Sequence, residues 1–164
     1  MTIAQDHAIE FIKRLHCGSE TNCIEYIDKY NDFYNIVHDR WHSLMYAIWY
    51  KSNYEHNNNV ITELIQRGAN INFKSPSGKT PLSLACDYGC TDVAIILVKA
   101  GADFVDVIDT HIIFYNHQQV IQCIRNVYRE RIISVINTGD NAIAISFKTT
   151  YVSGIINMIS EFII

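Results

Sequence analysis

Two stretches of this chain repeat one another at a fixed interval, and that constrains its fold more than any other feature. "ELIQRGANIN" (63–72) is echoed by "ILVKAGADFV" (96–105), which sets Gly68 and Gly101 33 residues apart. Self-similarity at such a period marks a chain built from stacked supersecondary units, each of which buries its apolar face only against its neighbours. Between the two lies "GKTPLSLACDYG" (78–89). Gly78 permits a turn with positive φ, Thr80 suits a helix N-cap, and Pro81 suits the first helical position, where its missing N–H costs nothing. The same residues invite a phosphate-loop reading through Gly78-Lys79-Thr80. That loop needs a glycine five residues before Gly78, and Phe73 stands there. The stretch therefore starts a helix.

From Gly68 the chain runs Gly68-Ala69-Asn70-Ile71-Asn72, the turn Ser75-Pro76-Ser77-Gly78, then Thr80-Pro81-Leu82-Ser83-Leu84-Ala85, Gly89, Val93, Leu97 and Gly101-Ala102-Asp103. This resembles the ankyrin repeat nearly position by position. Ser83 replaces the usual His of the TPLH signature and Ser75 the usual turn-opening Asp, and both keep a side chain able to bond locally. Upstream, "HSLMYAIWYK" (42–51) aligns with "TPLSLACDYG", and "NNNVITELIQRGA" supplies a second helix. The extra residues around "SNYEH" are expected to lengthen the turn between them. Downstream, "IIFYNHQQVIQCI" (112–124) resembles a helix end, a turn and a second helix with Val120, Ile121 and Ile124 as its apolar face.

At the N-terminus Ala8, Phe11, Ile12 and Leu15 have helical spacing, as do Ile24 and Ile27, and Thr2 with Gln5 could form a capping box. The resemblance implies an all-α ankyrin solenoid forming one domain. Its expected parts are an N-terminal cap (1–36), a repeat (37–72), the best-matching repeat (73–105), a degenerate repeat (106–138) and a C-terminal cap (139–164). Leu64, Leu82, Ala85, Val93, Ile96 and Leu97 are the expected core.

A chain of 164 residues is long enough for one domain that needs no disulfide or metal. Its 13 basic against 17 acidic residues weigh against a nucleic-acid backbone as main partner, and suit a neutral or basic protein surface. Five cysteines are an odd count, and the charged N-terminal stretch is unlike a signal peptide, so a cytosolic setting is expected, the host cytosol for a viral or secreted protein. No apolar run reaches membrane-spanning length, since Lys99 cuts "DVAIILVKAG". Cys86 and Cys90, or His16-Cys17 near Cys23, lack the compact ligand pairs that zinc requires, so no metal or cofactor is expected. No GxSxG elbow supplies a nucleophile, and no catalytic residue is nominated.

In ankyrin repeats the two residues before the glycine that ends the first helix point into the concave groove, beside the hairpin tips. The resemblance therefore implies groove positions for Trp49 and Tyr50, for Asp87 and Tyr88, and for Phe114 and Tyr115. Tyr50, Tyr88 and Tyr115 would form one column, while Phe114 is read as covering its own helix. Trp41, Phe73 and Lys79, with His38, Asp39, Lys74, Pro76 and Ser77, would line the same mouth. Aromatic anchors commonly dominate protein interfaces. The implied function is non-catalytic: a chain monomeric by itself that binds and inhibits or bridges a partner protein, as small viral and bacterial ankyrin proteins do. The alternative is an immunity-type protein that neutralises a toxin, for instance a basic nuclease. A minor rival is an enzyme whose pocket gathers Cys123, a histidine and a carboxylate.

Overall fold

The computed structural model describes residues 2–54, 58–108, 112 and 117–138. Among these residues eight helices follow in order: α1 (Ile3–Cys17), α2 (Glu20–Lys29), α3 (Ser43–Tyr54), α4 (Asn58–Gln66), α5 (Pro81–Asp87), α6 (Thr91–Lys99), α7 (Val105–Val107) and α8 (Gln118–Thr138). Among the described residues the only β pairing is a bridge between His38 and Trp41. The β-prone run 92–98 lies within α6, where Val93, Ala94, Leu97 and Val98 share the buried face. Tertiary packing of an amphipathic face overrides local propensity there.

The helices form two rows. α1 packs on α3 and α3 on α5, while α2 packs on α4, α4 on α6, and α6 on α8; within each unit α1 meets α2, α3 meets α4 and α5 meets α6. One core runs through both rows, with Phe11, Phe33, Leu44, Ile48, Ile61, Leu64, Leu82 and Leu97 all fully buried. Of the expected core, Leu64, Leu82, Ala85, Val93 and Leu97 are each 0% exposed. Ile96 is instead half-buried, because the buried face of α6 is centred on Val93 and Leu97 and leaves Ile96 at its margin.

Local chemistry sets the ends of these helices. Thr2 and Gln5 form the expected capping box on α1. Thr80 and Ser83 form another on α5, with Pro81 in its first turn. Gly68 and Gly101 lie at φ +90° and +95°, a region that penalises other residues. After each, the next amide bonds five residues back: Ala69 N–H to Leu64 O and Ala102 N–H to Leu97 O, both at 2.9 Å. Gly68 and Gly101 themselves donate to Ile65 O and Val98 O at 3.1 Å, which completes the Schellman motif at both ends of the 33-residue period.

Two expectations change. α3 does not stop at residue 50 but continues to Tyr54, so residues 51–54 are an added helical turn rather than loop, because Lys51 stands where Gly89 ends the next unit. α8 begins at Gln118 with Val120, Ile121 and Ile124 buried, as expected, but continues to Thr138. The expected C-terminal cap, 139–164, lies outside the described residues.

Candidate protein-interaction face

The first-helix row carries two hairpin tips against it. The tip at 38–41 closes through His38 N–H to Trp41 O (2.9 Å) and Trp41 N–H to His38 O (3.2 Å), with Asp39 at φ +59°. The tip at 75–79 closes through Ser75 N–H to Lys79 O (2.9 Å) and Gly78 N–H to Ser75 O (2.8 Å). Ser75 Oγ also accepts from Lys79 N–H at 3.0 Å, the local bond expected of a residue replacing Asp. Trp41 and Lys79 thus hold equivalent places, each closing its tip.

Each tip is tied to its own first helix. Tyr46, on α3, donates its hydroxyl to His38 O at 3.2 Å, and Trp41 meets the Tyr46 ring edge-on at 5.5 Å. In the next unit Lys79 Nζ donates to Asp87 Oδ2 at 2.6 Å. Trp41 and Trp49 in one unit stand at the positions of Lys79 and Asp87 in the other, but each tryptophan packs on a tyrosine of α3, Tyr46 and Tyr50 respectively, where the next unit has an ion pair. Trp41, Trp49, Phe73 and Lys79 are half-buried, and Asp87 is exposed. Tyr88, which caps the C-terminus of α5, is 43% exposed.

Tyr50 departs from expectation. It is 6% exposed, with its ring 4.7 Å from Trp49 and 5.8 Å from His16 at the end of α1. The helix continues past it, so Tyr50 packs into the row instead of opening at a helix end as Tyr88 does. The expected column of Tyr50, Tyr88 and Tyr115 is thereby broken at its first member. Tyr115 and Phe114 lie outside the described residues.

Polar links fix one unit on the next. Asn35 Oδ1 accepts from Asn70 N–H at 2.7 Å while its Nδ2 donates to Gly68 O at 3.2 Å. Asn72 Oδ1 accepts from Asp103 N–H at 2.8 Å. Lys74 pairs with Asp106 at 2.7 Å, and Arg67 bonds Glu63 at 2.7 Å while also pairing with Asp28. His42, unnominated by sequence reasoning, is 1% exposed and reaches Asn70 O through Nε2 at 2.8 Å. Its signal was its place: it aligns with the N-cap Thr80.

Reactive chemistry is sparse among the described residues. No group of three or more His, Cys, Asp or Glu side chains converges as a metal site there. Cys86 and Cys90 are buried, and burial pushes the Cys86 thiol up to about 12 and that of Cys23 up to about 11. Such thiols stay protonated and make poor ligands or nucleophiles near neutrality. Cys123 lines an open cleft between α6 and α8 with Lys99, Glu130 and Arg131, but no histidine among the described residues joins it, and burial raises its thiol. The trio that the enzyme reading required is not assembled there.

The family pattern described as ankyrin repeats in three copies matches residues 1–108. Tyrosine-protein kinase HTK16 of Hydra vulgaris is 35% identical over 77 residues, 41% of this chain and 10% of the kinase, so the chain spans about a tenth of that relative's length. No solved structure matches. No helix among the described residues is long and apolar enough to cross a membrane. With its 33-residue period, its paired helix rows and this match over 1–108, the chain belongs to the ankyrin-repeat family, whose members are generally protein–protein interaction modules and typically non-catalytic.

Proposed function

We infer that this chain binds another protein through the concave face made by the first-helix row and its hairpin tips, and acts by inhibiting or bridging that partner. The observation that carries this reading is the juxtaposition at α5: an exposed tyrosine, Tyr88, directly follows Asp87, which is held by Lys79 on the tip. An aromatic ring presented beside oriented charge is the chemistry of an interface anchor, because a tyrosine gives up little rotamer freedom on burial. Trp41, Trp49 and Phe73, each half-buried on the same row or its tips, offer further apolar area. Tyr50 is left out of this surface because it belongs to the packing.

The net charge of −4 favours a partner with a neutral or basic surface. The test is affinity capture from the native cell to identify the partner, followed by calorimetry with purified Tyr88→Ala. A desolvated anchor commonly costs about 2 kcal/mol or more, roughly a thirtyfold loss of affinity. An unchanged Kd with Tyr88→Ala would move the site elsewhere on the protein.

A further inference from the structure

His42 uses both ring nitrogens, and each bond dictates what the other must be. Nε2 faces the carbonyl oxygen of Asn70 at 2.8 Å, so Nε2 carries the proton. Nδ1 faces the backbone N–H of Met45 at 3.4 Å in the first turn of α3, so Nδ1 presents its lone pair. The ring is 1% exposed and lies 4.6 Å from the Phe73 ring, tilted by 32°. His42 therefore caps α3 with one nitrogen, beside its own carbonyl oxygen, which accepts from Met45 N–H at 3.0 Å, and with the other holds the Asn70–Phe73 turn that leads into the next unit; only the neutral Nε2–H tautomer satisfies both ring bonds.

We propose that His42 is an acid-sensitive clasp: protonation at Nδ1 sets an N–H against the Met45 N–H, removes the side-chain part of the α3 cap while Nε2–H still faces Asn70 O, and places a charge in a buried site, which loosens the ring and with it the Asn70–Phe73 turn. The groups that bond or stack on the ring are all uncharged: the Met45 amide, the Asn70 carbonyl and the Phe73 ring. Charged groups on the adjoining segments are engaged elsewhere or exposed. Asp39 and Arg40 are exposed on the preceding tip, Lys74 pairs with Asp106, and Glu63 pairs with Arg67 on α4. Among the described residues no carboxylate bonds the ring to stabilise an imidazolium, and burial holds the ring's proton affinity below the ordinary histidine value. The unfolded chain takes its proton near the ordinary value of about 6.5, so the clasp's contribution is complete above that pH and falls as pH drops below it toward the folded value.

The test needs no binding partner. In 15N NMR of the intact protein the His42 ring shows the Nε2–H pattern at pH 7.5 and titrates below pH 6.5, and the amides of Met45 and of residues 70–73 move with the same midpoint. His42→Thr, which copies Thr80 in the next unit, keeps a cap and removes the titration. The stability gap between wild type and this variant in urea should be constant above pH 7 and shrink between pH 6.5 and 5. Histidines common to both proteins cancel in that difference. An Nδ1–H tautomer, hairpin amides indifferent to the His42 titration, or a gap flat from pH 7.5 to 5 would each overturn the proposal.

Discussion

Tyr88 occupies in the third unit the place that Tyr50 occupies in the second, yet Tyr88 is 43% exposed and Tyr50 only 6%. Equivalent positions diverge here because their helices end differently. α5 stops at Asp87 and leaves Tyr88 at the cap, whereas α3 runs on to Tyr54 and keeps Tyr50 against His16 and Trp49. Substitution should separate the two: Tyr50→Ala should cost roughly 3–5 kcal/mol, the range for truncating a buried aromatic. Tyr88→Ala should stay within about 0.5 kcal/mol, as surface changes usually do. Urea denaturation followed by circular dichroism measures both.

Leu82 is 0% exposed where α5 packs against α3 and α6. Leu82→Ala should lower stability by roughly 2–5 kcal/mol. A loss under about 0.5 kcal/mol would place Leu82 at a surface rather than in the core.

A methyl group at Gly68 or Gly101 would meet nothing within 4 Å, so space is not the constraint. The constraint is φ, at +90° and +95°. Alanine at either site should cost about 1–2 kcal/mol through left-handed backbone strain alone. The two losses should be similar, since both glycines close the same motif; thermal denaturation of the single variants checks this.

Cys17 is exposed while Cys23, Cys86, Cys90 and Cys123 are buried. With Cys86 pushed up to about 12 and Cys23 to about 11, a thiol reagent at pH 8 should label Cys17 quickly and these two only on unfolding. Mass spectrometry of timed samples, in buffer and in denaturant, reads the order.

What the sequence made legible was whatever its local chemistry decides. The Thr80-Pro81 start of α5, the capping box of Thr2 and Gln5, and the Gly68 and Gly101 turns each depend on residues a few positions apart, and each stands where the pattern put it. Burial that depends on a neighbouring unit was harder to see. Tyr50 is covered partly from α1, and His42 gains its role from Asn70, 28 residues away. The added turn of α3 did leave a local trace, the absence of glycine at Lys51, but the residues around "SNYEH" are surplus to the repeat and so read as a longer turn between the helices. Lys79 and Asp87, both expected along the groove, are joined by an ion pair; Trp41 and Trp49 sit at the matching places without opening fully to solvent.

The central claim is that a protein partner docks on the first-helix row. A photo-crosslinking amino acid placed at position 88, and separately at the exposed position 25 of α2 in the other row, tests it in the native cell. The account predicts a discrete crosslinked partner from position 88, lost when Asp87→Lys is added, and none from position 25. The same partner captured from position 25, with nothing from position 88, would contradict it.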